Sequence, residues 1–117
     1  MLPRAHRLRR SADIRRARRK GQRWSHPLLL LFAIENNGDS TRFAISASSR
    51  IGNAVVRNRV RRRIREAIRK ELPGIEPGWD CLLVVKEGAP SAPFAALEQA
   101  IIELLARSGL LHRQTAE

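Results

Sequence analysis

Asn53-Ala54-Val55-Val56-Arg57-Asn58-Arg59-Val60-Arg61-Arg62-Arg63-Ile64-Arg65-Glu66-Ala67-Ile68-Arg69-Lys70-Glu71-Leu72 reads as one long helix, and its two faces decide the fold. Val56, Val60, Ile64, Ala67 and Ile68 recur at four- and three-residue spacing and share a single apolar stripe. At about 100° per residue, with Val60 at zero, that stripe runs from about −40° to +80°. Asn58, Arg59, Arg61, Arg62, Arg65 and Arg69 fall between about 100° and 260°, on the opposite side. One face is therefore built for burial, and the other is a comb of guanidinium groups. Pro73-Gly74 stops the helix.

Working outward toward the N-terminus, Arg50-Ile51-Gly52-Asn53 leads into this helix, where free backbone amides can join in binding phosphate. Thr41 to Ser48 alternates, with Phe43, Ile45 and Ala47 on one face and the small residues Ala44, Ser46 and Ser48 on the other. That pattern predicts a half-buried strand. Asn36-Asn37-Gly38-Asp39 is turn chemistry, and its Asn-Gly step favours a hairpin. Leu28 to Ile34 is short and wholly apolar, as a strand buried on both faces would be. Further back, Ser11 can cap a short helix that carries Asp13 in its first turn and ends at Gly21. Ile14 and Ala17 give this helix a thin apolar side.

Toward the C-terminus, Trp79 to Lys86 predicts a second buried strand. Ser91 can cap a last helix with Pro93 in its first turn and Phe94, Leu97, Ile101, Leu104 and Leu105 as its stripe; Gly109 ends it. Residues 1–10 lack an apolar period and are expected to be loosely ordered, as is the tail 110–117. The order is helix, two or three strands, helix, strand, helix. With three strands it is α-β-β-β-α-β-α, an α+β chain folded as a single-domain α/β sandwich over residues 1–117.

Charge says most about the partner. The chain carries 23 Lys and Arg against 11 Asp and Glu, a formal net charge of +12. All but Arg42, Lys86, Arg107 and Arg113 fall in two blocks, residues 1–24 and 50–71, as a binding surface requires. Most are Arg, whose planar fork of donors suits phosphate and stacks on bases. A polyanion partner follows. The longest apolar run, Leu28 to Ile34, is far shorter than the roughly 20 residues that span a bilayer. No secretory pattern opens the chain, and the lone Cys81 sits in an apolar run, so we expect a soluble cytoplasmic protein with that thiol buried.

Enzyme chemistry of its own is not written here. Gly52 is isolated and no phosphate-binding Gly-Lys-Ser step exists. His6, His26 and His112 are far apart, and Glu98 and Glu103 are not placed to share a face, so no paired carboxylates for a nuclease metal are formed. Glu66 and Glu71 lie among bases and are expected to make salt bridges along the helix.

Gly52 to Ala67, with Arg57-Asn58-Arg59 at its heart, closely resembles the signature of the bacterial ribonuclease P protein family. Leu8-Arg9 before a short helix, Phe43 to Ile51 leading into the signature, and Trp79-Asp80 opening a strand extend the likeness over nearly the whole chain. The resemblance implies a protein subunit of ribonuclease P that assists a catalytic RNA in removing the 5′ leader from precursor tRNA. Arg50, Asn53, Arg57, Asn58, Arg59, Arg61, Arg62 and Arg65 would contact the catalytic RNA. A cleft between the first helix and the sheet, with Ile14, Arg18, Phe32, Ser46 and Ser48, would hold the leader. Where the family commonly has two Phe in the first helix, this sequence has Ile14 and Arg18, while Phe32 matches an aromatic strand position. Also implied are a left-handed strand–helix–strand crossover, no cofactor on the protein itself, Mg²⁺ at the RNA active site, and no membrane or protein partner. A structural RNA-binding protein of ribosomal type is the alternative, and a stand-alone nuclease is a weaker one.

Overall fold

Asn53 accepts the Val56 N–H on its side-chain oxygen at 3.0 Å and so caps helix α2 (Ala54–Glu71). We describe residues 2–111 of a computed structural model. The other elements are α1 (Ser11–Lys20), β1 (Gln22–Ser25), β2 (Leu29–Glu35), β3 (Arg42–Ser46), β4 (Trp79–Val85) and α3 (Phe94–Arg107). On α2 the expected stripe is the buried one: Val60, Ile64, Ala67 and Ile68 are enclosed, and Val56 is half-buried. A 3₁₀ turn over Leu72–Gly74 ends the helix at Pro73.

The four strands lie in the order β1-β2-β4-β3. β2 and β4 pair antiparallel along their full length, from Leu29 opposite Val85 to Glu35 opposite Trp79. Both are apolar on both faces, and only central strands can bury both faces. The half-polar β3 therefore takes an edge, parallel to β4, with α2 crossing between them. This order corrects the expected hairpin after β2, because β4 lies between β2 and β3. The Asn36–Gly38 turn is real, with the Asn36 carboxamide oxygen accepting the Gly38 N–H at 2.7 Å. It ties to β4 instead: Asn36 N–H donates to the Gly78 carbonyl at 2.8 Å, and its side-chain amide donates to Asp80 at 2.8 Å.

The sheet has two unequal layers. Leu29, Leu31, Ala33, Phe43, Cys81, Leu83 and Val85 face α2 and α3 and form the main aliphatic core. Leu30, Phe32, Ile34, Ala44, Leu82 and Val84 face the other way, where Ala17 and Ile14 of α1 cover only part of them. Gly21 ends α1 with an ordinary φ of −75°. Its value is close approach: a Cβ there would lie 2.4 Å from the Ala17 carbonyl oxygen and 2.9 Å from that of Ala33.

Other expectations are corrected. Ser11 is the first residue of α1 and caps nothing, since Arg10 holds the cap position. Ser91 likewise caps nothing; α3 starts after Pro93, and the Ser91 hydroxyl donates to the Gly88 carbonyl. β3 ends at Ser46 rather than Ser48, before a 3₁₀ turn over Ser49–Ile51. Within residues 2–10 two leucines are anchored: Leu2 and Leu8 are 1% and 4% exposed, and Leu8 N–H donates to the Phe43 carbonyl at 2.8 Å. The alternation Arg7-Leu8-Arg9 lets this arm pair with the β3 edge while burying Leu8. Leu110 is buried and Leu111 bridges to Ile75, and the rest of the expected loose tail lies outside the described residues.

Candidate nucleic-acid interface

The side of α2 away from the core carries the cations. Asn58, Arg59 and Arg62 are exposed, and Arg57, Arg61 and Arg65 are half-buried. Among the described residues Arg57, Arg59 and Arg62 make no ion pair, which leaves their donors free. Arg61 is held along the helix, donating to the Asn58 side chain at 3.1 Å. Arg63 leaves the comb, as its guanidinium donates to the Ala92 carbonyl at 2.7 Å and ties α2 to the start of α3. Arg69 is neutralised by Glu66, whose carboxyl its hydrogen bonds pull down to about 2. Glu71 makes no ion pair among the described residues, so the expected helix salt bridge forms at Glu66 only.

At the start of α2, Arg50 is exposed in the preceding turn, while the Asn53 side chain is occupied by its cap. Gly52 sits at φ 150°, where a Cβ would lie 2.9 Å from Val56 Cγ1, so a glycine is required between turn and helix.

A groove opens where the α1 layer leaves the sheet uncovered. Ile14, Phe32 and Ala44 belong to one apolar cluster there, and Ser46 follows two residues along the same face of β3. Ser48 lies beyond the strand and is exposed. Arg18 reaches over Phe32, its guanidinium carbon 5.8 Å from the ring centroid, so the ring is only 9% exposed and its upper face is occupied by charge. A recess of about 280 Å³ between Ile14, Ala44 and Ile45 is also lined by Arg7, Arg9 and Arg65. Arg65 thus belongs to both the comb and the groove. Its pKa is lowered by burial first and by Arg7 and Arg61 second, the mark of a cation crowded by like charge.

Arg7 and Arg9 went unassigned in the sequence, although Arg7-Leu8-Arg9 carries the period-2 signal of a segment that pairs with a strand edge. Asp80 was also missed. It is 2% exposed and accepts both arms of the Arg42 fork at 2.9 and 2.8 Å, while Asp13 of α1 approaches Arg42 at 3.6 Å. This pair of a half-buried Arg42 and a buried Asp80 fastens α1 to β3 and β4, and it raises the Arg42 pKa chiefly through the Asp80 hydrogen bonds. Cys81 is fully buried, and desolvation pushes its thiol pKa up, out of the reactive range. Among the described residues no three His, Cys, Asp or Glu side chains come together as metal ligands could, and no helix is long and apolar enough to cross a membrane.

The family model described as Ribonuclease P matches residues 2–109. The chain belongs to the ribonuclease P protein family. A ribonuclease P protein component from Herpetosiphon aurantiacus is 39% identical over 111 residues, covering 95% of this chain and 90% of the relative. One from Chloroflexus aggregans is 41% identical over 111 residues, covering 94% and 82%. The fold agrees with solved ribonuclease P proteins. That of Staphylococcus aureus superposes with a TM-score of 0.84 at 24% identity, over 92% of this chain and 98% of the other. That of Thermotoga maritima gives 0.79 at 24% identity, over 86% and 96%. Membership in the ribonuclease P family carries a role in tRNA 5′-leader processing with an RNA subunit, and it disfavours the ribosomal alternative.

Proposed function

We propose that this chain grips the RNA subunit of ribonuclease P with the outer side of α2 and holds the 5′ leader of precursor tRNA in the groove beside α1. The residues that meet the RNA subunit are Arg50, Asn53, Arg57, Asn58, Arg59, Arg61, Arg62 and Arg65. Those that meet the leader are Ile14, Arg18, Phe32, Ser46 and Ser48. One observation carries the reading: unpaired cations on a rigid helix run, through Arg65, into a groove with small and apolar residues on its floor.

Two RNAs repel each other, and the protein offsets that repulsion by neutralising phosphates of both while fixing their relative position. Mg²⁺ held by the RNA subunit would supply the hydrolytic chemistry. The chain's own side chains bind and orient, and the chain alone cleaves nothing. Its place is the cytoplasm, with precursor tRNA and the RNA subunit as partners and no protein partner needed. The grip on the leader differs from a stacking platform, because Arg18 covers Phe32 and offers a guanidinium plane and a charge in place of an open ring.

The test is cleavage of a 5′-extended precursor tRNA by the cognate ribonuclease P RNA at low Mg²⁺, with and without the protein. Restored cleavage at the mature 5′ end supports the reading. No stimulation by folded protein overturns it.

A further inference from the structure

The flank of α1 that faces away from the sheet carries charge which the interface above does not use. Arg15, Arg16, Arg19 and Lys20 surround a recess of about 280 Å³. Arg16 and Lys20 also wall a second recess of about 330 Å³, which reaches the sheet end at Ile34, Glu35, Asn37 and Trp79. None of the four cations makes an ion pair among the described residues. Arg16 is directed over the recess by a 3.4 Å hydrogen bond to the Glu35 carbonyl. The one acid of α1, Asp13, is engaged with Arg42, and among the described residues Glu35 is the only carboxylate lining the second recess. Like charges one turn apart repel, so four unpaired cations on so short a helix are stable company only for an anion.

The recess has an aromatic wall. Trp79 is half-buried, and its backbone N–H is fixed by the Thr41 hydroxyl at 3.1 Å. Phe32 is covered by Arg18, and Trp79, which packs on the main core from the other face of the sheet, lines the sheet end of this recess. A basic track beside an aromatic face is how single-stranded nucleic acid is held without regard to sequence. Among the described residues the exposed large hydrophobic is Val55, which lies on α2, so the outer flank of α1 offers charge and no large apolar side chain.

We propose that the outer flank of α1 is a second RNA site, where Arg15, Arg16, Arg19 and Lys20 bind phosphates and one base enters the recess beside Trp79. The choice of RNA as the anion rests on the function proposed above. α1 and α2 pack on opposite faces of the sheet, so the cations of this site and those of the α2 comb are carried by different layers. One protein molecule then bridges two RNA segments.

The probe is a mixed-sequence single-stranded RNA shorter than the 38 Å width of the molecule, so that one strand does not wrap both faces. In Trp24→Phe protein, whose remaining indole is Trp79, the probe is expected to quench fluorescence. In unaltered protein the probe should shift one indole N–H resonance, the one that Trp79→Phe removes, which covers the case where Trp24→Phe does not fold. Changing Arg15, Arg16, Arg19 and Lys20 together to Gln should weaken this signal at least tenfold. It should also flatten the log–log salt dependence by about 3, since each neutralised single-strand phosphate contributes roughly 0.7 to the slope. Arg59→Ala with Arg62→Ala and Arg65→Ala should leave the Trp79 signal in place.

Absence of any Trp79 response, or its disappearance with the α2 variant instead, overturns the site. Affinities of the four-Gln variant for ribonuclease P RNA and for precursor tRNA then tell which RNA occupies it, and weakening toward neither overturns the bridge. Failure of the ribonuclease P reading would appear separately, as absent stimulation of cleavage.

Discussion

The two basic helices are anchored in opposite ways. α2 lays a continuous stripe of Val60, Ile64, Ala67 and Ile68 into the main core, between the sheet and α3. α1 buries only Ala17 fully, leans on Phe32 and Leu82, and is held further by polar contacts, chiefly the Asp13–Arg42–Asp80 cluster. Charge density is similar on both, but the depth of packing beneath it is not. A helix with a thick apolar footing presents its cations in a fixed geometry, whereas one with a thin footing opens more easily. In the proposed function, fixed phosphates of a folded RNA would suit the first, and a variable single-stranded leader the second.

The largest effect should come from the polar anchor. Arg42→Ala leaves the Asp80 carboxylate buried and stripped of its fork, and breaking such a pair costs about 3–5 kcal/mol. Urea denaturation should show it as a lower midpoint. A loss below about 1 kcal/mol would mean that Asn36 and solvent satisfy Asp80 unaided.

Next is the contrast in apolar footing. Ile64→Ala empties a fully buried site and should cost about 2–5 kcal/mol, while Ile14→Ala, at a half-exposed position, should cost about 1 kcal/mol. Equal losses would erase the distinction between the helices.

The smallest effects are on stability and the most telling on binding. Replacing Arg59, Arg62 and Arg65 with Ala should leave the fold intact and flatten the salt dependence of RNA-subunit binding by about 2–3 log–log units, because three phosphates are no longer neutralised. Arg18→Glu should instead weaken leader-bearing precursor more than mature tRNA, by several-fold. An unchanged slope would separate the comb from phosphate, and equal losses for the two tRNA forms would remove Arg18 from the leader groove.

Much of this was legible in the chain alone. The α2 stripe and its terminator are local: Val60, Ile64, Ala67 and Ile68 repeat at helical spacing whatever surrounds them. The double-sided apolar runs of β2 and β4 marked them as interior strands. The short polar β1 was not located, since Gln22–Ser25 has no periodic signal and becomes a strand only by pairing with β2. The caps at Ser11 and Ser91 were plausible chemistry overtaken by neighbours, Pro93 above all, whose fixed φ already sets the start of α3. The Asn-Gly turn was recognised, but its hairpin was not formed, because pairing β2 with the longer and more apolar β4 buries more surface than pairing it with β3.

By itself the sequence determined a basic polyanion-binding chain, a two-faced central helix and the ribonuclease P family, because charge, period and a contiguous signature are properties of neighbours along the chain. Only the tertiary structure decided which cations stay unpaired, that Arg18 covers Phe32, that the N-terminal arm lines the groove with Arg7 and Arg9, and that the two basic helices pack on opposite faces of the sheet. Those depend on strand order and on which face of the sheet each helix covers. Such arrangements join residues tens of positions apart, and no local pattern encodes them.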